Sequence, residues 1–216
     1  MARTLYRDRR EAGQVLAQAL DHYRGRAETV VLALPRGGVP VGYEVARLLE
    51  LPLDVFLVRK LGVPGHRELA MGAIASGGTA VINEDVVRRL RISPRAIEEV
   101  TRAEESELER RQEVYRKGRP PVAVQGKTVI LVDDGLATGA TMRSAIRALR
   151  LQEPARLVMA VPVAPWETCR ELQEEADEVI CTATPPAFYA VGTAYQDFSQ
   201  VTDEEVTDLL AATSRE

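Results

Sequence analysis

A chain of 216 residues, 45% hydrophobic and 28% charged, is long enough to bury a full core and short enough for one compact domain, expected over 1–216 with an elaboration. Its 28 Lys and Arg against 32 Asp and Glu leave a formal charge of −4 with no long run of one sign, which disfavours nucleic acid or an anionic membrane as partner. No apolar stretch approaches the roughly 18–20 residues that cross a bilayer, and MARTLYRDRR is not a signal-peptide core, so a soluble cytoplasmic protein is expected. Cys169 and Cys181 form no CxxC pair and have no histidine cluster, which argues against a zinc site or disulfide scaffold; both are expected as reduced thiols.

Between Asp8 and Tyr23, apolar Ala12, Val15, Leu16, Ala19, Leu20 and Tyr23 recur at spacings of three and four, predicting a helix that Gly25 ends. The β-branched run from Glu28 to Leu34, then Pro-Arg-Gly-Gly, then a helical pattern from Val39 to Glu50 read as strand, tight loop and helix. A second apolar run, Leu53 to Val58, precedes Arg59-Lys60 and LGVPGHRELAMG, which matches no regular period and reads as a mobile loop. AMGAIA and TAVIN flank Ser76-Gly77-Gly78 as a hairpin would.

From Glu84 to Lys117 the pattern is helical and charged, with Ser93-Pro94 placed as N-cap and first helical residue of the longer helix. This insertion, about 84–121, carries 13 charged residues among the 24 from 94 to 117 and a broken apolar stripe of Ile97, Val100, Ala103, Leu108 and Val114. It suits a hood over a pocket, a dimer surface or a solvated arm. Lys127 to Val132 is the most hydrophobic strand candidate, followed by Asp-Asp, a small-residue loop and a helix over Thr141–Leu151. Leu157–Val161 and Glu178–Cys181 are further strands around a helix at Pro165–Ala176, and Asp203–Ala212 closes the chain as a helix with an acidic first turn. Strands alternating with helices predict an α/β fold with a doubly wound parallel sheet of about five strands, a flexible β-hairpin loop and an inserted helical segment.

The segment VILVDDGLATGATM, residues 129–142, carries the chemistry. Small residues Gly135, Ala137, Gly139 and Ala140 let backbone N–H groups face an anion at a helix N-terminus, and Thr138 and Thr141 add hydroxyls. Asp133 and Asp134 are poor neighbours for a phosphate, so they call for ribose hydroxyls, a magnesium ion or a developing positive charge. An acid pair beside an anion cradle describes a sugar phosphate. The plain alternative is a helix N-cap with two solvated aspartates. GxxxxGK[ST] and GxGxxG are both absent.

The segment closely resembles the phosphoribosyl-diphosphate (PRPP) signature of type I phosphoribosyltransferases: four hydrophobic residues, two acids, then an ATG-containing loop. LPRGGVPVG, 34–42, resembles that family's diphosphate loop, and VRKLGVPGHRELAMG, 58–72, resembles the start of its flexible catalytic loop, with an opening like that of adenine phosphoribosyltransferases. The likeness runs in order over about 28–182. It implies transfer of 5-phosphoribosyl from PRPP to a nucleobase or related nitrogen nucleophile, with diphosphate leaving, Mg2+ as cofactor and a homodimer as assembly. The alternative it leaves is a PRPP-sensing or regulatory protein with weak or no transfer.

On this resemblance, Arg36, Gly37, Gly38, Arg59 and Lys60 meet the diphosphate, with Arg36 and Lys60 also catalytic. Asp133 and Asp134 hold the ribose hydroxyls and favour positive charge on the ring, as metal ligands directly or through PRPP or water. Ala137, Thr138, Gly139, Ala140 and Thr141 anchor the 5-phosphate. The segment 183–213 becomes a C-terminal hood, in which Phe188 or Tyr189 stacks on a base or fills the core. His66 at the loop tip is an acid-base candidate or a solvated histidine. Ala137 stands where 6-oxopurine enzymes carry an acid, and Ala140 where they often carry lysine, so the acceptor base stays open.

Overall fold

The computed structural model describes residues 4–213, apart from the side chains of residues 67 and 68. Residues 1–3 and 214–216, the two ends of the expected domain, lie outside the described residues. Five parallel strands form the central sheet: β1 (Thr29–Ala33), β2 (Leu53–Val55), β6 (Thr128–Val132), β7 (Arg156–Val163) and β8 (Glu178–Ala183), in the order β2-β1-β6-β7-β8. Both faces are covered, so the strands read as nearly continuous apolar runs and every residue of β1 is buried.

Alternate residues separate the two faces. Val31, Ala33, Ile130, Val132, Val158 and Ala160 face the helices α1 (Arg9–Ala19) and α2 (Gly38–Leu49), which contribute Leu16, Val41, Val45 and Leu49. Val30, Leu32, Val129, Leu131 and Met159 face α5 (Ala140–Arg150) and α6 (Trp166–Leu172), through Met142, Ile146, Leu149 and Leu172. The α/β expectation therefore holds. Helix α7 (Asp203–Ala212) packs Val206, Leu209 and Leu210 into the first of these layers. Among the described residues no helix is long and apolar enough to cross a membrane.

The apolar run Leu53–Val58 divides between two sheets: β2 ends at Val55, and β3 (Val58–Val63) belongs to a separate antiparallel sheet with β4 (His66–Ala75) and β5 (Thr79–Ile82). The stretch 61–72, expected as an irregular loop, is most of that β3–β4 hairpin. Its period was hidden because the pairing register shifts at Leu61, Gly62 and Val63, which breaks the strict alternation that marks a strand. Leu61, Val63 and Met71 are nevertheless buried. The glycine turn at 77–78 joins β4 to β5 as expected.

The two cysteines are not reduced thiols. Cys169 of α6 and Cys181 of β8 form a disulfide, with Cα atoms 6.7 Å apart. No local spacing signals this pair, because only the packing of α6 against the sheet edge brings the two together.

The insertion folds as α3 (Glu84–Leu90) and α4 (Pro94–Arg116), with Ser93 capping α4 by accepting a hydrogen bond from the Ala96 N–H. Its far end is not a solvated arm. Leu108, Tyr115 and Arg116 are buried, and the Arg116 Nε donates to both carboxylate oxygens of Asp54 on β2, at 3.0 and 3.2 Å. Asp54 also accepts from the Val55 and Val122 N–H groups, so this buried pair is fully hydrogen-bonded and ties α4 to the sheet edge.

Candidate active site

Strand β2, reached from β1 through α2, lies on one side of β1, and β7, reached from β6 through α5, lies on the opposite side of β6, so the strand order reverses between β1 and β6. In an open α/β sheet a ligand crevice forms beyond the carboxyl ends of the strands at such a switch point. Both loops singled out by sequence leave from here. Pro35, Arg36 and Gly37 follow β1, with a cis Pro35–Arg36 peptide, and residues 133–139 follow β6.

The two loops are in close contact. A Cβ on Gly37 would stand 2.0 Å from Asp134 Oδ2, and one on Gly38 would stand 2.9 Å from both the Asp133 Cα and the Val132 carbonyl oxygen. The pair of glycines is thus the shape that lets the PRGG backbone lie against the acid pair, at the first turn of α2. Beyond the acids, Gly139 sits at the N-cap of α5, and Ala137, Thr138, Ala140 and Thr141 are exposed. The exposed first turn leaves the positive end of the helix open to an anion, while the Ala140 N–H donates to Thr138 Oγ1 at 3.4 Å. Thr168 of α6 supports the loop from behind by donating to the Ala137 carbonyl at 3.2 Å.

The acid pair is electrostatically unusual. Burial, then the neighbouring Asp134 charge, pushes the Asp133 carboxyl well above the ordinary carboxylate range, although its Oδ1 accepts the Asp134 N–H at 2.8 Å. Burial also raises Asp134, against the pull of Arg9, whose Nε donates to Asp134 Oδ2 at 2.7 Å. Both members of that ion pair are nearly enclosed, at 11% and 13% side-chain exposure. The Arg9 guanidinium also lies 3.9 Å over the Phe198 ring and donates to the Ser199 carbonyl at 2.8 Å. From the same C-terminal segment, the Tyr195 hydroxyl donates to the Asp134 carbonyl oxygen, and burial raises its phenol far above the usual range.

The model of the phosphoribosyl transferase domain family matches residues 5–196, which takes in both loops, the hairpin, the insertion and Tyr195. The chain belongs to this family. A Mycobacterium tuberculosis protein described as a "putative phosphoribosyl transferase" is 46% identical over 212 residues, covering 98% of this chain and 48% of its own length. The chain therefore spans about half the length of the curated relatives it matches. The crystal structure of the protein TT1426 from Thermus thermophilus is similar throughout, with 44% identity, a TM-score of 0.84, and coverage of 97% of this chain and 99% of that one.

Within this phosphoribosyl transferase domain, the structure brings together Gly37, Gly38, Asp133 and Asp134, with residues 137–141 continuing from the acids. The expected cations lie further out. Arg36 is 3.9 Å from Asp203 Oδ1 at the start of α7, and Arg59 donates from Nε to Glu104 Oε2 of α4 at 2.5 Å. Arg59 lines a small cavity with Pro35 and Thr141, which its strand neighbour Lys60 does not. His66 is an exposed residue at the start of β4. Phe188 packs against the cluster of Tyr6, Val163 and Tyr195, whereas Tyr189 is 79% exposed. Sequence reading missed Arg9 and Tyr195, and no local signal marks either, because each reaches the acid loop from a different end of the chain.

Proposed function

We propose that this phosphoribosyl transferase domain transfers 5-phosphoribosyl from PRPP to a nitrogen nucleophile of nucleobase type, releasing diphosphate. The observation that supports this most is the contact of Gly37 and Gly38 with Asp134 and Asp133. A diphosphate on the PRGG amides and a ribose on the acid pair then share one crevice, with the 5-phosphate on 137–141. In the reaction the nucleophile's lone pair forms the bond to C1 of the ribose as the bond from C1 to the diphosphate oxygen breaks, and positive charge grows on the ring.

Asp133 and Asp134 are placed to accept the ribose hydroxyls and to favour that charge. Arg9 fixes the Asp134 carboxylate while Tyr195 fixes its backbone, so the pair needs no rearrangement when ribose arrives. Ribose hydroxyls would also relieve the cost of the buried Asp133 charge by donating to it. Arg36, Arg59, Lys60 and the amides at 37 and 38 would receive the departing charge.

Among the described residues no cluster of three or more His, Cys, Asp or Glu side chains could hold a metal alone. The two aspartates do suit Mg2+ carried mainly by substrate oxygens, since this ion usually takes one or two carboxylates together with phosphates. When bound it would neutralise charge on the diphosphate.

Calorimetry with Mg-PRPP tests the site: binding is expected, and Asp133→Asn combined with Asp134→Asn should weaken it, whereas unchanged affinity would remove the ribose site. Diphosphate release with a panel of purines, pyrimidines and analogues tests the activity. PRPP binding without diphosphate from any acceptor would leave the PRPP-sensing reading instead. Light scattering reads the homodimer that accompanies the proposal.

A further inference from the structure

The insertion reaches the site. A cavity of about 70 Å³ lies between Pro35 of the PRGG loop, Arg59 at the start of β3, Thr141 in the first turn of α5, and Arg111 and Tyr115 of α4. It therefore sits between the loop proposed to hold the diphosphate and the end of the loop proposed to hold the 5-phosphate. Its two charged lining residues are both arginines. Two arginines bordering one small cavity repel unless anions lie nearby.

Those anions come from α4 itself. Arg59 is held through Nε by Glu104 Oε2 at 2.5 Å, and Arg111 through Nε by Glu107 Oε1 at 2.8 Å. Glu107 also accepts from Arg110, and the two guanidiniums bring its carboxyl down to about 2, so it stays charged across the neutral range. Neither arginine is buried: Arg59 is 27% and Arg111 47% exposed. Partly exposed pairs of this kind are weak and are readily exchanged for a more highly charged anion.

The face of α4 that carries Arg111 is fixed in place. Tyr115, four residues on and on the same face, is buried and donates to Asp203 Oδ1 at 2.7 Å, and Arg116 is anchored on Asp54. Asp203 also lies 3.9 Å from Arg36 Nη1. Helix α4 thus stands beside both the PRGG arginine and the first residues of β3.

We propose that Arg111 is a diphosphate-binding residue supplied by the inserted helix, and that Glu107 holds it until the ligand arrives. The inference rests on the phosphoribosyltransferase reading above. A diphosphate in the crevice displaces Glu107 and takes the guanidinium fork, whose parallel N–H groups match two phosphate oxygens. The insertion then adds to the leaving-group side a charge that the three motif segments do not contain.

Calorimetry on the full chain separates the possibilities, with Mg-diphosphate, Mg-PRPP and ribose 5-phosphate as titrants. Arg111→Gln is expected to weaken Mg-diphosphate and Mg-PRPP about tenfold or more, and ribose 5-phosphate by less than about twofold. Arg111→Lys should recover only part of the loss, because a point charge lacks the fork. Glu107→Gln should tighten Mg-diphosphate about threefold in the wild-type background and not when Arg111 is already Gln. A loss shared equally by all three titrants, or no change in any, overturns the role of Arg111 and leaves the phosphoribosyltransferase reading intact. A wild-type chain that binds neither Mg-PRPP nor ribose 5-phosphate overturns both.

Discussion

On the side of the crevice proposed to hold the ribose, Asp134 is enclosed, clamped by Arg9 and roofed by Tyr195, so its carboxylate and its carbonyl both have partners within the protein. On the side proposed to hold the diphosphate, Arg36, Arg59 and Arg111 are partly exposed and rest on carboxylates that belong to α7 and α4. On the proposed function, the contrast suits the charge each side would meet. Positive charge at the ring develops only in the transition state, so its stabilisers work best when fixed in advance. A diphosphate arrives and departs as a strong anion, so its cations are better held by partners that exchange easily, because a permanently naked cluster of guanidiniums would repel itself.

The sharpest way to break this contrast is to push the two sides apart. Gly37→Ala puts a methyl where Asp134 Oδ2 now lies, and a displacement on the scale of an ångström is expected to lower kcat/KM by about a hundredfold, read as diphosphate release. Wild-type turnover in this variant would mean that the two loops need not touch.

Asp133→Asn tests whether the fixed side trades stability for function. Loss of a charged acceptor should weaken Mg-PRPP by about 10- to 100-fold. The free protein should melt higher at neutral pH, since a buried charge is removed. The sign follows from the raised carboxyl of Asp133: its contribution to stability is present below the unfolded value and lost as pH rises through the folded one, so the gain in Tm should shrink in acid. A variant that melts lower at neutral pH would contradict the burial argument.

Arg9→Gln removes the clamp and leaves the acids in place. A fall of about tenfold in Mg-PRPP affinity is expected, with ribose 5-phosphate affected as strongly, which places the loss on the ribose side. The smallest effect should come from Glu104→Gln. Freeing Arg59 from a partly exposed pair should change thermal stability by less than about 1 kcal/mol, and a large loss would show that the diphosphate side is as rigidly built as its counterpart.

What could be read from the sequence is what short segments encode by themselves. The apolar run, the acid pair and the small-residue turn of 129–142 specify strand, crevice loop and helix start without help, since each depends on local backbone geometry. Ser93 as a cap and the helix at 203–212 were legible for the same reason. The hairpin at 58–75 was not, because a register shift disguises its period. Packing alone decided the rest. Arg9 meets Asp134 across 125 positions, and Arg116 meets Asp54 across 62. Cys169 meets Cys181 only once α6 lies on the sheet edge. Pairings of this kind depend on how separate elements cross one another, and a linear sequence states the elements far more plainly than their crossings.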